Sequence, residues 1–356
     1  MPSMRTPGWA SQSTSPSTAR RKALAQSKAI DEDIESQERI QRGSAEALVL
    51  GLKDSGASTF VTQMMLQKQP DSVPESILQE CQPLVVAATI ESCKALARCL
   101  TYMNHPLGRA VETMFAPTAL DGNTNDISPG VADQIDDIWR KSGLQKLILE
   151  SLFHVEHPVH TTYFLDHVKR LLFQQYFPTP SDILRVDRPL QGSVNTTTIQ
   201  ALYTPLIFHE MSLQMFLNSK KMTLMAECVD FVVFFVDMSN YQNILDSMIH
   251  VEALGIQGGR LHSRGVTLGF FLNNIQTFEQ KVQKIPLQSV FPNYIEGAIP
   301  SKAISYIRGE FSRRAKDPHG NTCYFCVGDV LDPRAAEILL AGIVESTRRR
   351  RSAVCL

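Results

Sequence analysis

The sequence predicts an α/β protein whose parallel sheet is interrupted, after its first strand and helix, by an all-helical block. Three observations carry this. In the second half of the chain, short β-branched and aromatic runs alternate with helix-period segments, which is how strands buried on both faces read. A run of the same kind, Ala45–Leu50, stands alone near the start and ends abruptly at Gly51. From about Pro74 to Pro178, apolar residues recur only at helical spacing.

The elements follow in order. Residues 1–18 are rich in Ser, Thr and Pro without hydrophobic period and predict a disordered lead. From Ala19 to Gly43 the chain is strongly polar, basic first (Arg20, Arg21, Lys22, Lys28) and then acidic (Asp31, Glu32, Asp33, Glu35, Glu38). Such a helix is exposed or docks on a partner through a narrow stripe such as Ile30 and Ile34, and its basic start opposes the macrodipole. A solvated tether is the plainer alternative. Ala45–Leu50 predicts a strand and Phe60–Gln67 a helix. The helical block carries Ile90, Leu96 and Leu100 on one stretch and Ile135, Ile138, Trp139 and Leu144 on another, with loops such as 121–130 between them. Strands are then expected at Phe231–Val236, Val266–Leu272 and Tyr324–Val327, and helices at Phe278–Lys284, Ala303–Arg314 and Ala335–Thr347. No internal repeat is visible.

Composition sets the outer bounds. With 356 residues the chain is long enough for about two domains, and its 43% hydrophobic and 20% charged residues are those of a globular protein. A formal charge of −1 argues against a nucleic-acid partner, whose binding proteins are strongly basic. No apolar run approaches the ~20 residues of a membrane span, and no signal-peptide core is present. Seven scattered cysteines suggest a reducing, cytoplasmic compartment rather than a disulfide framework.

The segment Gly51–Thr59 follows a strand and opens a helix with the spacing G-x-x-x-x-G-x-[ST], placing Gly51, Gly56 and Ser58 in phosphate-loop positions. Glycines let backbone N–H groups turn inward, and a helix N-terminus adds positive potential for phosphate oxygens. Ser58 is the expected Mg2+ ligand. The lysine of that motif is replaced by Ala57, so a simple Gly/Ser turn is the competing reading.

Further along, the chain resembles the α subunit of heterotrimeric G proteins over essentially its whole length. The likeness rests on an ordered set of segments: Ser27–Asp31, Ser58-Thr59 with Gln63-Met64, 80–92, 138–145, 163–185, Lys220-Lys221 with Glu227, 234–241, 270–274, 278–284, 286–294 and 303–311. The resemblance implies a Ras-like P-loop GTPase domain (45–71 and 186–356) with an inserted all-helical domain (72–185), preceded by an N-terminal polar helix and disordered lead (1–44). It implies GTP or GDP with Mg2+ as cofactors. By resemblance the nucleotide would meet Gly51, Asp54, Ser55, Gly56, Ser58, Thr59, Leu184, Arg185, Asn273 and Val327. The implied partners are a G-protein βγ dimer, a G-protein-coupled receptor and an effector of unknown identity.

The departures from the family cluster around the nucleotide. Beyond Ala57, the catalytic arginine of switch I falls on Asp187, with Arg188 beside it, and the Mg2+-holding threonine falls on Leu190. The Asp-x-Gly-Gly-Gln of switch II maps onto 209–215 in either of two registers. One puts its Asp on Met211 and its Gln on Met215; the other puts them on Glu210 and Gln214, which is then the candidate catalytic residue. Both glycines are missing either way. The base-reading Asn-Lys-x-Asp becomes Asn273-Asn274-Ile275-Gln276, where neutral Gln276 replaces a charged bidentate acceptor. Val327, in the last base-contacting loop, retains a backbone N–H.

Each lost charge-assisted contact costs on the order of 1.5–3 kcal/mol, so four losses remove roughly 6 kcal/mol, about four decades of affinity. An Asp in place of the arginine also repels the charge that develops in phosphoryl transfer. The expectation is a pseudo-GTPase, a signal transducer with weak or absent hydrolysis. The alternative is an active GTPase with unorthodox contacts, Ser58 and the backbone amides of 54–59 still holding GTP and Mg2+; a separate rescue would have Lys53 bend back to the phosphates.

Weaker signals have plainer readings. His154, His157 and His160 recur every three residues, but Pro158 breaks the helix that would align them on a metal. Cys323 and Cys326 lack a partner pair and read as strand thiols. The start Met1-Pro2-Ser3 offers no myristoyl or palmitoyl site, so attachment at the inner face of the plasma membrane is expected through partners. Arg348–Arg351 crown the last helix, where cations suit its dipole.

Overall fold

The computed structural model describes residues 44–68, 75–115, 130–186, 188, 194–201, 204–252, 265–315 and 323–354. The chain divides into two compact units, Met1–Ser44 and Ala45–Leu356. The polar helix expected over 19–43, the loop 121–129, Asp187 and Leu190 lie outside the described residues.

In the second unit, six strands form one sheet in the order β2-β3-β1-β4-β5-β6. They are β1 (Ala45–Gly51), β2 (Asn195–Ala201), β3 (Thr204–Glu210), β4 (Phe231–Asp237), β5 (Thr267–Asn273) and β6 (Cys323–Val327). Only β2 runs antiparallel to its neighbour; β3, β1, β4, β5 and β6 are mutually parallel. Register is set by which face each residue buries. Ala45, Ala47 and Val49 of β1 join Phe231, Val233 and Phe235 of β4 in one core cluster, while Leu48 and Leu50 join Val232, Phe234 and Val236 in the other. Both faces being covered explains why these strands read as continuous apolar runs. Helices α1 (Ala57–Lys68) and α14 (Pro333–Val354) close the first face with Phe60, Val61, Met64, Leu339 and Ile343. The other face is covered from α9 (Leu213–Asn218), α10 (Lys220–Cys228), α11 (244–252), α12 (Ile275–Val282) and α13 (Pro300–Arg314). Each fully buried Phe or Val here contributes about 1.5–3 kcal/mol.

The four strands expected from sequence are present within a residue of their predicted bounds. Strands β2 and β3 were not expected. Asn195–Ala201 is a polar edge strand with Ile199 buried, and β3 carries Pro205 near its start, so neither shows the apolar signature of the centre. Helix α14 runs past Thr347 through the four arginines to Val354.

Between α1 and β2, the described residues hold no strand. The chain passes through α2 (Glu75–Tyr102), α3 (Leu107–Phe115), α4 (Val131–Trp139), α5 (Ser142–Ser151), α6 (Thr161–Asp166), α7 (Val168–Leu171) and α8 (Pro180–Ile183). These helices share a core of their own. Along α2 the buried positions Cys81, Val85, Thr89, Cys93, Leu96 and Leu100 step by three or four residues, one continuous stripe. Trp139 is buried against it, with its indole Nε1 donating to Asp166 at 2.7 Å.

The exit from this block is clamped by Asp182, which is fully buried. Its carboxylate accepts from Tyr163 Oη at 2.6 Å, from both terminal nitrogens of Arg170 at 2.8 and 2.7 Å, and from the Thr179 backbone N–H and hydroxyl at 2.8 and 2.7 Å. Burial alone would raise its pKa, but these donors together hold it well below the usual carboxylate range. Thr179 and Asp182 thereby form a capping box around Pro180, fixing the direction in which Leu184 and Arg185 leave α8.

Candidate functional site

Ligands of open α/β sheets bind outside the carboxyl ends of the strands, where the strand order reverses. Here that place is the loop after β1. Ser55 N–H donates to the Leu52 carbonyl at 3.2 Å, Asp54 takes a left-handed φ of 62° and Gly56 a φ of 95°. Phe60 N–H closes back onto the Gly56 carbonyl at 2.9 Å, so α1 starts here with its first N–H groups unspent. Both loop glycines sit in tight surroundings, and the left-handed φ of Gly56 favours glycine there as well. A Cβ at Gly51 would lie 2.2 Å from Ser55 Oγ, and one at Gly56 would lie 2.3 Å from Asn273 Nδ2. Ser55 Oγ is itself buried and without a hydrogen-bond partner.

Asn273, the last residue of β5, holds the floor together. Its Nδ2 donates to the Ser55 carbonyl at 2.9 Å, and its Oδ1 accepts from Val330 N–H at 2.9 Å. Its own carbonyl accepts from Met238 N–H at 3.0 Å. Next to it Asn274, at a left-handed φ of 58°, donates to Asp237 Oδ1 at 2.8 Å; the same oxygen takes Ser239 N–H at 3.0 Å and its hydroxyl at 2.6 Å. Burial raises the pKa of Asp237 despite these donors, and burial lowers that of Lys281, whose Nζ donates to the Ser239 carbonyl at 3.1 Å.

Above this floor lies a cleft of about 440 Å³. The sheet side contributes Lys53, Asp54, Gly56, Thr59, Asn273 and Val330, and the helical side contributes Glu91, Arg98, Glu156, His157, His160 and Arg185. Arg98 is bonded to Glu91 at 2.9 Å and to the Glu156 carbonyl at 3.0 Å. The Arg185 guanidinium lies 4.0 Å from the Tyr163 ring centroid, and burial lowers its pKa. Burial pushes His160 down to about 4, with Arg185 adding to the effect, and lowers His157 as well. Both histidines are therefore neutral wall residues near pH 7. His154 instead stacks on Tyr102, with 5.5 Å between the rings.

Of the residues singled out from sequence, Asp54, Gly56, Thr59, Arg185 and Asn273 come together at the cleft, with Gly51 and Ser55 shaping the loop beneath. Leu184 and Val327 are not among its walls; Val186 and Val330 are. Gln276 is exposed on α12 and Gln214 is exposed on α9. Cys326 is buried and Cys323 half-buried on β6. The aromatic and histidine wall opposite the loop was not legible as such. Only the odd spacing of His157 and His160 marked it.

Ser58 is not among the residues lining the cleft. It is buried, and so is Glu210 at the end of β3, a residue 1% exposed whose Oε1 has no hydrogen-bond partner. Burial raises the Glu210 pKa, opposed by Ser58 and by the charge of Arg188. Arg188 Nη2 donates to Thr62 Oγ1 at 3.2 Å, one turn along α1 from Ser58.

A family model for the G-protein alpha subunit matches residues 24–253. The chain belongs to the G-protein alpha subunit family. Relatives of this family are distant but span the chain. The "G-protein complex alpha subunit gpaA" of Aspergillus fumigatus is 26% identical over 89% of this chain and 93% of its own length. The "Guanine nucleotide-binding protein G(o) subunit alpha" of Planorbella trivolvis is 28% identical over 84% of this chain and 87% of its own. The Caenorhabditis elegans protein of the same name is 27% identical over 86% of this chain and 88% of its own.

Membership implies Mg2+ beside bound phosphate, and the residues present do not fit that ion. Mg2+ demands an octahedron of oxygens. Ser58 is one oxygen donor, but the second hydroxyl expected of the family is replaced in sequence by Leu190, which has no oxygen to donate. Among the described residues, no helix is long and apolar enough to cross a membrane.

Proposed function

We propose that this chain is an alpha-subunit-like signal transducer, coupling a receptor and a βγ dimer to an effector, whose guanine-nucleotide chemistry is weak or absent. In this reading the helices of 72–185 are the inserted domain, 45–71 and 186–356 the Ras-like domain, and 1–44 the βγ-facing segment. The chain attaches at the inner face of the plasma membrane through those partners. The observation that carries the reading is the charge of the cleft. Lys53, Arg98 and Arg185 are matched by Asp54, Glu91 and Glu156, and its histidines are neutral. A triphosphate would enter a cleft with no net positive charge to receive it, and Ala57 supplies none from the helix start. The base side adds to this, because both ends of the Asn273 amide are already spent on Ser55 and Val330.

The test is titration of the full chain with a fluorescent GTP analogue and Mg2+. Binding weaker than low micromolar is expected, and tighter binding would overturn the reading. The second reading, an active GTPase with unorthodox contacts, draws on Lys53 lining the cleft. It requires single-turnover hydrolysis above background that Lys53→Ala abolishes.

A further inference from the structure

Four consecutive arginines, Arg348–Arg351, run directly into Ser352 near the end of α14, and none of them lines the cleft. The structure sorts them. Arg350 is committed inward: its guanidinium donates to the carbonyls of Val229 and Glu227 and meets the Asp230 carboxylate at 3.3 Å. Arg348 and Arg349 are exposed. The Arg349 side chain is 79% exposed and its partner Glu345, at 3.0 Å, is 53% exposed, so the pair is weak and another carboxylate can replace Glu345. Ser352 is exposed as well, and its Oγ donates to the Arg348 carbonyl at 3.0 Å, within its own turn.

We propose that Ser352 is a phosphorylation site for an arginine-directed protein kinase, which recognises it through Arg349, three residues before it, while Arg350 stays moored to Asp230. Kinases select substrates by charge pattern, and a guanidinium offers a forked donor to a carboxylate of the kinase. The hydroxyl has to leave the helix to be reached. The mooring stops at Arg350, and the last carbonyls of a helix have no partners further along it, so unwinding the turn beyond Arg350 breaks few bonds. Ser352 Oγ then attacks the γ-phosphorus of ATP as its proton passes to the kinase's carboxylate base. An O–P bond forms, the bond from that phosphorus to the β–γ bridging oxygen breaks, and ADP leaves with the electron pair. The phosphoserine carries about −1.5 to −2 charges at pH 7, roughly half of what the four arginines supply. Arg348 and Arg349, one helical turn earlier, are placed to hold it.

The full chain is incubated with radiolabelled ATP and one of two kinases, and the label is mapped by mass spectrometry. Calmodulin-dependent protein kinase II, activated by calcium and calmodulin, reads arginine three residues ahead of the serine. Cyclic-AMP-dependent protein kinase also needs the arginine two residues ahead, which here is Arg350. The first kinase is expected to label Ser352 in the native chain, to leave that peptide unlabelled in Ser352→Ala, and to slow about 10-fold on Arg349→Ala. The second is expected to label the native chain slowly and to speed up about 10-fold on Asp230→Asn, which releases Arg350 while keeping an acceptor for Glu46 N–H. The Asp230→Asn chain is first checked for a cooperative unfolding transition; the results with the native chain and Arg349→Ala stand without it. No label on Ser352 from the first kinase would overturn the proposal, as would an undiminished rate on Arg349→Ala. Equal rates of the second kinase on native and Asp230→Asn chains would overturn the part assigned to the mooring.

Discussion

The side-chain amide of Asn273 joins the loop after β1 to the loop after β6, donating to the Ser55 carbonyl and accepting from Val330 N–H, each at 2.9 Å. Both bonds are buried. Asn273→Ala leaves two buried backbone groups unpaired, at about 1–3 kcal/mol each. The expected result is a loss of about 2–4 kcal/mol in denaturant unfolding. Asn273→Asp is expected to cost more, because a carboxylate oxygen then faces the Ser55 carbonyl.

Gly56 sits at φ 95° with no room for a Cβ, which would meet Asn273 Nδ2 at 2.3 Å. Gly56→Ala therefore combines a left-handed backbone with a clash against the same amide. A loss of about 1–3 kcal/mol is expected, read by denaturant midpoint at constant slope.

Asp182 gives the chain an acid limit. Its folded pKa lies below its unfolded value, so its contribution is fully present above the unfolded pKa of about 4 and fades as pH falls further. Asp182→Asn is expected to be less stable at pH 7 by about 2 kcal/mol, the partly exposed Arg170 keeping the figure modest. As pH falls from about 4 toward the depressed folded pKa of Asp182, the variant's unfolding curve should draw progressively closer to that of the native protein. Unfolding followed across pH checks both parts.

Ala57→Lys returns a cation to the start of α1. One charge-assisted contact is worth on the order of 1.5–3 kcal/mol, so affinity for a fluorescent GTP analogue should rise roughly 10- to 100-fold. No gain would mean that the lysine is not what limits the cleft.

The central sheet was legible because its physics is local. Phe231–Asp237 is apolar on both faces, and no arrangement but a doubly covered strand satisfies it. The edge was not legible: Asn195–Ala201 earns its place by pairing with β3, residue for residue from Asn195↔Glu210 to Ala201↔Thr204, and pairing leaves no mark on composition. The phosphate loop was visible in the spacing of Gly51, Gly56 and Ser58. The buried Glu210 was not legible as a neighbour of β1, since it lies far along the chain and only the parallel register of β3 on β1, Val49↔Glu210, brings it near. The same holds for Arg188, where sequence showed a displaced arginine and the fold gave it Thr62 as an anchor.

At the opposite edge of the sheet, Asp230 receives Glu46 N–H on its carboxylate at 3.0 Å, and its backbone bonds to Glu46 and to Thr267. Arg350, near the end of α14, reaches the same carboxylate at 3.3 Å and the carbonyls of Val229 and Glu227. The chain's last helix is thus moored at the entrances of β1, β4 and β5, while its other end lies just beyond the β6 loop that Asn273 holds. A pull on the tail would load this mooring before any strain reached the cleft, and the helix would behave as a tie-rod fixed at both ends rather than a lever free at one.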